Sequence, residues 1–522
     1  MKTVAQTLVE WLKSMGVEVI FGIPGVHTIE LYRALPASGI RHVTPRTEAG
    51  AGFMADGYAR VSGRFGVALV ITGPGLTNIL TPMAQARADS VPMLVISGVN
   101  PRATLGKGLG HLHELPDQAA LSGALGAAHH LDRPDALATI LDRIGTALTH
   151  GRGGPVHLQI PLDLMDAPVP EGARPVPARP GQHDRNDAQD IDKANAILGA
   201  GQAPVILAGG GCRHSGPALR ALAERLGAPV ILTTNARGLL HHHPLAVPAS
   251  PSLDPVRALI RDADPLLVAG SELGPTDCDM YGDGAFPDTA AMIRIDIDAD
   301  QLARHPAALT LRGDVAAILP RLTRAAPAPA GPARAALARE GARAALPPGY
   351  GDEVALLDAL RAACPGAIMV GDSTQIVYAG NLFHDHDRPG GWFNAATGFG
   401  ALGYAPGAAV GAALAAPDTP VLCLIGDGGL MFSPGEVLTA AQEGLDITVI
   451  AFNNRGFGEI AQAMRDARTE VLGCTPEPPD MADFARACRL PFTRSTPATL
   501  AQTLAKGAKG PRFIEVVLPP VM

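Results

Sequence analysis

The apolar positions of this chain alternate between two spacings. Short, largely apolar runs recur at Val19-Ile20-Phe21, Val67 to Thr72, Met93 to Ser97, Val205 to Ala208, Val230 to Thr233, Leu266 to Ala269, Ile368 to Val370, Val421 to Ile425 and Ile447 to Phe452; a strand is also expected at Ile293 to Ile297, and Leu158 to Leu162 closes the first domain. Stretches with helical spacing separate them, such as Val4, Leu8 and Leu12, where Thr3 and Gln6 can form a capping box and Gly16 closes the helix. Unbroken runs predict strands buried on both faces, so the expected class is α/β with parallel sheets covered by helices.

At 522 residues the chain is too long for one core. Two segments break the alternation: Asp166 to Asp187, dense in proline, glycine and arginine, and Ala325 to Gly349, biased to alanine, proline and arginine and expected to be partly helical. They predict three doubly wound parallel-sheet domains at 1–166, 190–325 and 349–522, with linkers at 167–189 and 326–348. Charged residues make up 18% of the chain and no apolar run reaches membrane-spanning length, so no membrane partner is expected. The net charge of −8 without a basic cluster argues against a nucleic-acid partner. Six cysteines without CxxC spacing, and a start that runs straight into a helix, predict a cytoplasmic protein.

The most informative stretch is Gly426 to Gly456. The run Val421 to Ile425 delivers Asp427 to the end of a parallel strand. Ser433, Pro434 and Glu436 then have the form of a helix start with a capping box, and Gly444 ends that helix. A right-handed crossover returns Asn453-Asn454 to the same sheet edge. A carboxylate, an amide oxygen and glycine amides thus converge, a donor set that suits Mg²⁺ together with substrate phosphates.

Gly426-Asp427-Gly428 followed by Asn453-Asn454 resembles the signature of the thiamine-diphosphate enzymes of the acetolactate synthase, benzoylformate decarboxylase and pyruvate decarboxylase group. The resemblance implies Asp427 and Asn454 as side-chain ligands of Mg²⁺, Gly456 as a backbone-carbonyl ligand, and Gly428 and Gly429 as amides against the diphosphate. It extends to the whole chain, with domains for the pyrimidine (Pyr), a central fold, and the diphosphate (PP).

Phe21-Gly22-Ile23-Pro24-Gly25 is similar to the family's first loop. In the stretch Arg46 to Arg60 the family places its activating glutamate, here Glu48, whose carboxyl would share a proton with the aminopyrimidine. Asp372-Ser373-Thr374-Gln375 follows a strand where the family holds the diphosphate, implying Thr374 and Gln375. Thr397 to Ala409 resembles the loop that bends the cofactor, with Leu402 as the wedge and the Gly400 carbonyl as the amine's acceptor.

Benzoylformate decarboxylase carries a histidine on the strand before Gly73-Pro74-Gly75, where this chain has Ile71. The proton-transfer candidates are therefore His113 and Glu114, in the loop Gly110 to Gln118. Glu459 departs from both family patterns, glutamate one position later and methionine at this position, which suggests substrate recognition. Gly209-Gly210-Gly211 lacks the third glycine of a dinucleotide loop, and Gly270 to Asp277 does not reproduce the family's flavin segment, so FAD is not expected. His241-His242-His243 reads as a solvated turn, since no carboxylate or cysteine is spaced to join it as a metal ligand.

The resemblance implies non-oxidative decarboxylation of a 2-oxo acid to an aldehyde and CO₂, by a homodimer or homotetramer with active sites between chains. Leu112 to Gln118, Thr397 to Ala409 and Asn453 to Ile460 look most like 5-guanidino-2-oxopentanoate decarboxylases, and Glu114 and Glu459 would suit a cationic tail. The rival readings are an acetolactate-synthase-like carboligase and a non-catalytic subunit of the same fold.

Overall fold

The computed structural model describes residues 1–170, 186, 188–278, 285–289, 291–507 and 509–521. Most of the expected first linker lies outside the described residues.

Among the described residues, eighteen strands form three six-stranded parallel sheets. The first contains β1 (Val19–Gly22), β2 (Arg41–Val43), β3 (Gly66–Val70), β4 (Met93–Val99), β5 (Ala127–His130) and β6 (Pro155–Pro161), in the order β2-β1-β3-β4-β6-β5. The second contains β7 (Val205–Ala208), β8 (Val230–Leu232), β9 (Ala246–Val247), β10 (Leu266–Ala269), β11 (Met292–Asp296) and β12 (Leu309–Arg312), in the order β12-β11-β10-β7-β8-β9. The third contains β13 (Ile368–Gly371), β14 (Trp392–Asn394), β15 (Val421–Gly426), β16 (Ile447–Asn453), β17 (Phe492–Ser495) and β18 (Arg512–Val517), in the order β14-β13-β15-β16-β18-β17. Each order starts inside the sheet and grows both ways, so each has a switch point where neighbouring loops diverge at the strands' carboxyl ends.

Packing divides the chain into two compact units: Met1–Gly181 with Gly398–Arg494 and Lys509–Met522, and Gln182–Thr397 with Ser495–Ala508. In the first, the capping box of Thr3 and Gln6 is present, and Val4, Leu8 and Leu12 enter the core as their spacing predicts. The helix Glu48–Ser62 lies against the helix Tyr404–Ala415 with almost no gap. A Cβ added at Gly57 would overlap the carbonyl of Ala408, and one at Gly411 would overlap that of Met54. Beside this contact the Tyr404 hydroxyl donates to Asp56 at 2.5 Å. The Arg60 guanidinium pairs with Asp56 at 2.6 Å and with Asp89 at 2.7 Å, all within the core. A buried charge of this kind persists because it is fully paired.

In the second unit, Gly209 and Gly211 pack against Gly270 and Ser271 so closely that side chains would collide. Backbone packing accounts for these glycines. The expected second linker contains the helix Gly331–Ala344, whose Ala335, Ala338 and Ala342 are buried in the core around Val256 and Ile260. The histidine run is not a freely solvated turn. His243 meets Glu224 at 3.1 Å, and His241 and His242 both turn to Asp385, a carboxylate too distant in sequence to be anticipated.

Candidate active site

β15 and β16 lie side by side with Gly426 opposite Phe452, so Asp427 and Asn454 leave the sheet together at its carboxyl edge. The Asn454 amide donates to Asp427 Oδ1 at 3.3 Å, and Asn454 Oδ1 accepts from the Gly456 amide at 3.2 Å. Asp427 is 1% exposed, and its Oδ2 is buried without a hydrogen-bond partner. Burial pushes this carboxyl above its usual range, and the amides of Asn454, Asp427, Gly428 and Gly456 only partly offset that. A buried carboxylate oxygen without a donor is what a hard cation would satisfy.

Gly428 and Gly429 are buried in the short helix Asp427–Leu430. A Cβ at Gly428 would come 2.5 Å from the Phe457 ring, so only glycine leaves that approach open. A pocket of about 210 Å³ opens here, lined by Asp427, Gly428, Met431, Phe432, Phe457 and the turn Pro476 to Pro478. Glu459, in the first turn of the helix Gly458–Asp466, is half-buried, and burial alone moves its carboxyl, upward.

The loop with Gly400 and Leu402 is tied at both ends. Ala401 donates to Gln85 Oε1 at 3.3 Å, and the Ser433 hydroxyl donates to the Gly403 carbonyl at 2.6 Å. Gly400 has φ +76°, exposed, with open space around it. In the second unit, Thr374 takes the N-cap position of the helix Gln375–Leu382 without using its side chain as a cap, which leaves its hydroxyl for another partner.

The carboxyl edge of the first sheet carries the other candidates. Glu48 opens its helix behind Thr47, whose hydroxyl accepts from Gly50 at 2.9 Å. Glu48 Oε2 accepts from the Asn78 amide group at 2.9 Å. The segment before Glu48 is held by Glu436, which accepts from the Arg46 amide at 3.0 Å, the Thr47 amide at 3.1 Å and the Thr439 hydroxyl at 2.9 Å. Here the predicted capping box is not formed. Ser433 has turned to Gly403, Pro434 takes the cap position, and Glu436 accepts from the Arg46 and Thr47 amides as well as from Thr439 of its own helix.

His113 sits in a left-handed backbone conformation, φ +63°, and its Nδ1 lies 3.2 Å from the Thr72 carbonyl. A carbonyl oxygen can only accept, so Nδ1 carries hydrogen and Nε2 is the nitrogen that can gain or lose a proton. The Glu114 carboxylate accepts from the amides of Gly110 at 2.7 Å, His111 at 3.0 Å and Leu109 at 3.3 Å. Desolvation raises this carboxyl, but those loop amides outweigh it and hold it below the usual range. Glu114 thus accepts from the amides of the loop that carries His113.

Sequence reasoning did not single out His27, Asn78 or Gln118, and it read Glu436 only as part of a helix cap. The His27 ring stands edge-on to that of His113, with centroids 5.2 Å apart and planes at 89°. Its Nδ1 is buried without a partner, and burial first, then the nearness of His113, lowers its pKa. Gln118 is buried and ties Gly73 at 3.0 Å to Ser97 and the Gly98 carbonyl, both at 2.9 Å. The signal for His27 was its position two residues after the Gly22-Ile23-Pro24-Gly25 loop; the others depend on contacts between distant segments.

Three family models match the chain: the N-terminal TPP-binding domain of thiamine pyrophosphate enzymes over residues 2–121, their central domain over 191–322, and their C-terminal TPP-binding domain over 372–516. The chain is 43% identical over 498 residues to the probable 2-ketoarginine decarboxylase AruI of Pseudomonas aeruginosa, covering 93% of this chain and 88% of that one. It is 31% identical to the acetolactate synthase isozyme 1 large subunit of Escherichia coli (88% and 83% covered) and 32% identical to the acetolactate synthase large subunit of Corynebacterium glutamicum (88% and 76% covered). With a Glu48 edge, an Asp427–Asn454 edge and three matching sheets, the chain belongs to the thiamine pyrophosphate enzymes.

Proposed function

We propose that this enzyme decarboxylates, non-oxidatively, a 2-oxo acid with a guanidino side chain, releasing CO₂ and the corresponding aldehyde, with thiamine diphosphate and Mg²⁺ as cofactors. The observation that carries the reading is the orphaned Asp427 Oδ2 beside Asn454, in a pocket whose lining includes Asp427, Gly428, Phe432 and Phe457. Asp427, Asn454 and the Gly456 carbonyl would hold the metal, Gly428 and Gly429 would bind the diphosphate, and Gly400 and Leu402 would support the ring end. When bound, thiamine diphosphate supplies a nucleophilic carbon and an electron sink for loss of CO₂.

The protein's part is proton handling and orientation. Glu48 would hold a proton at Oε1 against the aminopyrimidine while Asn78 fixes its other oxygen. His113 would deliver a proton to the product carbon from Nε2, with its ring orientation set by the Thr72 carbonyl and by His27. Protonation at that carbon separates aldehyde release from joining a second carbonyl compound, so a histidine there favours the decarboxylase. Glu459, desolvated and influenced by no neighbouring charge, suits the cationic tail. The similarity to a probable 2-ketoarginine decarboxylase supports the same tail.

Val26, Phe399 and Phe432 are exposed around these edges, which favours a second chain covering them, in a homodimer or homotetramer with sites between chains. We place the Pyr, central and PP domains at 1–166, 190–325 and 349–522, in a cytoplasmic protein; among the described residues no helix is long and apolar enough to cross a membrane.

The test is incubation with thiamine diphosphate, Mg²⁺ and a panel of 2-oxo acids that includes 5-guanidino-2-oxopentanoate. Free guanidino aldehyde, lost in Glu48→Gln, supports the proposal. The similarity to acetolactate synthases favours a second reading, carboligation, and 2-acetolactate from pyruvate as the main product would establish that instead. No turnover of any 2-oxo acid would overturn both.

A further inference from the structure

Two polar segments of the second unit, each rich in histidine or aspartate, are locked together by buried backbone contacts. The first is Gly238 to Pro244 and the second is His384 to Arg388. Between them lies Arg237, 1% exposed, whose guanidinium donates to the carbonyls of Leu232 at 2.9 Å, Pro248 at 2.7 Å, His384 at 2.9 Å and Asn381 at 2.9 Å. At Gly238, φ +87°, a Cβ would overlap the Arg388 carbonyl, so the two backbones touch. The side chains above this contact are therefore held by the fold rather than by their own charges.

From that placement we propose that His241, His242 and Asp385 form a site for a divalent transition-metal ion of the zinc class, separate from the residues assigned to Mg²⁺. Their candidate ligand atoms all lie within 4.8 Å of one another. His241 Nδ1 is 3.2 Å and His242 Nδ1 3.7 Å from Asp385 Oδ2. Close as it is, His241 Nδ1 forms no hydrogen bond there, and both that nitrogen and Asp385 Oδ1 are buried atoms without a partner.

His242 adopts a left-handed backbone, φ +56°, a conformation that a non-glycine residue rarely takes. That turn aims its backbone amide at Asp385 Oδ2, 3.3 Å away, and brings its ring centroid to 3.8 Å from that of His241. Two protonated imidazoles at that separation would repel each other. One divalent cation instead satisfies two nitrogen lone pairs and a carboxylate at once.

The donor set decides the class of ion. Two imidazole nitrogens and one carboxylate suit Zn²⁺, Co²⁺ or Ni²⁺, whereas Mg²⁺ and Ca²⁺ prefer oxygen alone. Three protein ligands leave a position for water. Arg361 contacts the Asp385 backbone carbonyl, and its charge is met by Asp358 at 3.0 Å, which leaves the Asp385 carboxylate for the ion. A bound ion would clip the histidine loop to the second segment.

The experiment uses the full chain loaded with thiamine diphosphate and Mg²⁺, dialysed against micromolar ZnCl₂ and assayed for metal, with CoCl₂ in parallel for its visible absorption. One equivalent of Zn²⁺ per chain is expected, together with a Co²⁺ spectrum of low-coordinate nitrogen–oxygen type. His241→Ala and Asp385→Asn should each lose that equivalent. His242→Ala, an exposed position that folding tolerates, should weaken binding at least tenfold, while His243→Ala, whose ring faces Glu224, should keep it. Absence of stoichiometric Zn²⁺, or equal binding in His242→Ala and the parent, would show a proton-mediated pairing of His241 with Asp385 instead and overturn the site.

Discussion

The carboxylate of Glu436 accepts a hydrogen bond from the Thr47 amide at 3.1 Å, one residue before Glu48 and 389 positions away in sequence. With the Arg46 amide on the same carboxylate, the chain's two ends meet at one buried acid. Glu436→Gln keeps the shape but replaces charge-assisted bonds with neutral ones, a loss of about 1 kcal/mol. Glu436→Ala leaves two amides and the Thr439 hydroxyl without an acceptor and should cost about 2–4 kcal/mol. Denaturant unfolding checks the order, and turnover should fall in parallel because the segment leading to Glu48 loosens.

Asp427 carries its charge in a desolvated position, which raises its pKa. The folded, metal-free protein then binds this proton more readily than the unfolded chain, so stability is present at low pH and falls as pH rises from the ordinary Asp value through the raised one. Mg²⁺ with thiamine diphosphate should therefore raise the melting temperature far more at pH 7.5 than at pH 4.5. Asp427→Asn should abolish that cofactor effect while leaving the metal-free protein as stable as the parent or slightly more so. Equal cofactor shifts in both proteins would contradict the assignment.

His157 lies in the core between Ser97 at 2.8 Å and Ser122 at 2.7 Å, and burial pushes its pKa down to about 3. Its folded pKa is depressed below the unfolded value of about 6.5, so the unfolded chain binds the proton first and stability drains away as pH falls below that value. At pH 5 this amounts to about 2 kcal/mol. His157→Gln should flatten the loss between pH 6.5 and pH 4, as read by urea unfolding at a series of pH values.

Removing a proton donor should slow aldehyde release without loosening the cofactor. His113→Gln is expected to lower turnover about 10²-fold, the ordinary scale for one general acid. His27→Gln should act through His113: a smaller loss, with the pH–rate profile displaced because a neighbouring imidazole has gone. An unmoved profile in His27→Gln would count against the pair.

Glu459→Gln separates tail recognition from chemistry. Loss of one charge-assisted contact of about 1.5–3 kcal/mol should raise KM for the guanidino substrate at least tenfold. An uncharged 2-oxo acid should be turned over as before. Equal losses for both substrates would assign Glu459 to the chemistry.

Much of this protein follows from local pattern. The unbroken apolar runs had to become two-face-buried parallel strands, and β7 and β10 fall on the residues their runs predict. Asp427 and Asn454 were legible because a βαβ unit brings both strand ends to one edge, whatever surrounds it. Tertiary structure decided what depended on partners far away in sequence. Glu436 looked like its own helix's cap until the Arg46 and Thr47 amides, buried and in need of an acceptor, took its carboxylate. Glu114 was read as an acid near the site, and its spacing gave no sign that the amides of its own loop would donate to it. The ring of His113 beside His27, and Asp385 beside His241 and His242, likewise come from segments distant in sequence. Periodicity along the chain sets which face of an element is buried, whereas a polar side chain's work is set by the unsatisfied group that folding brings against it.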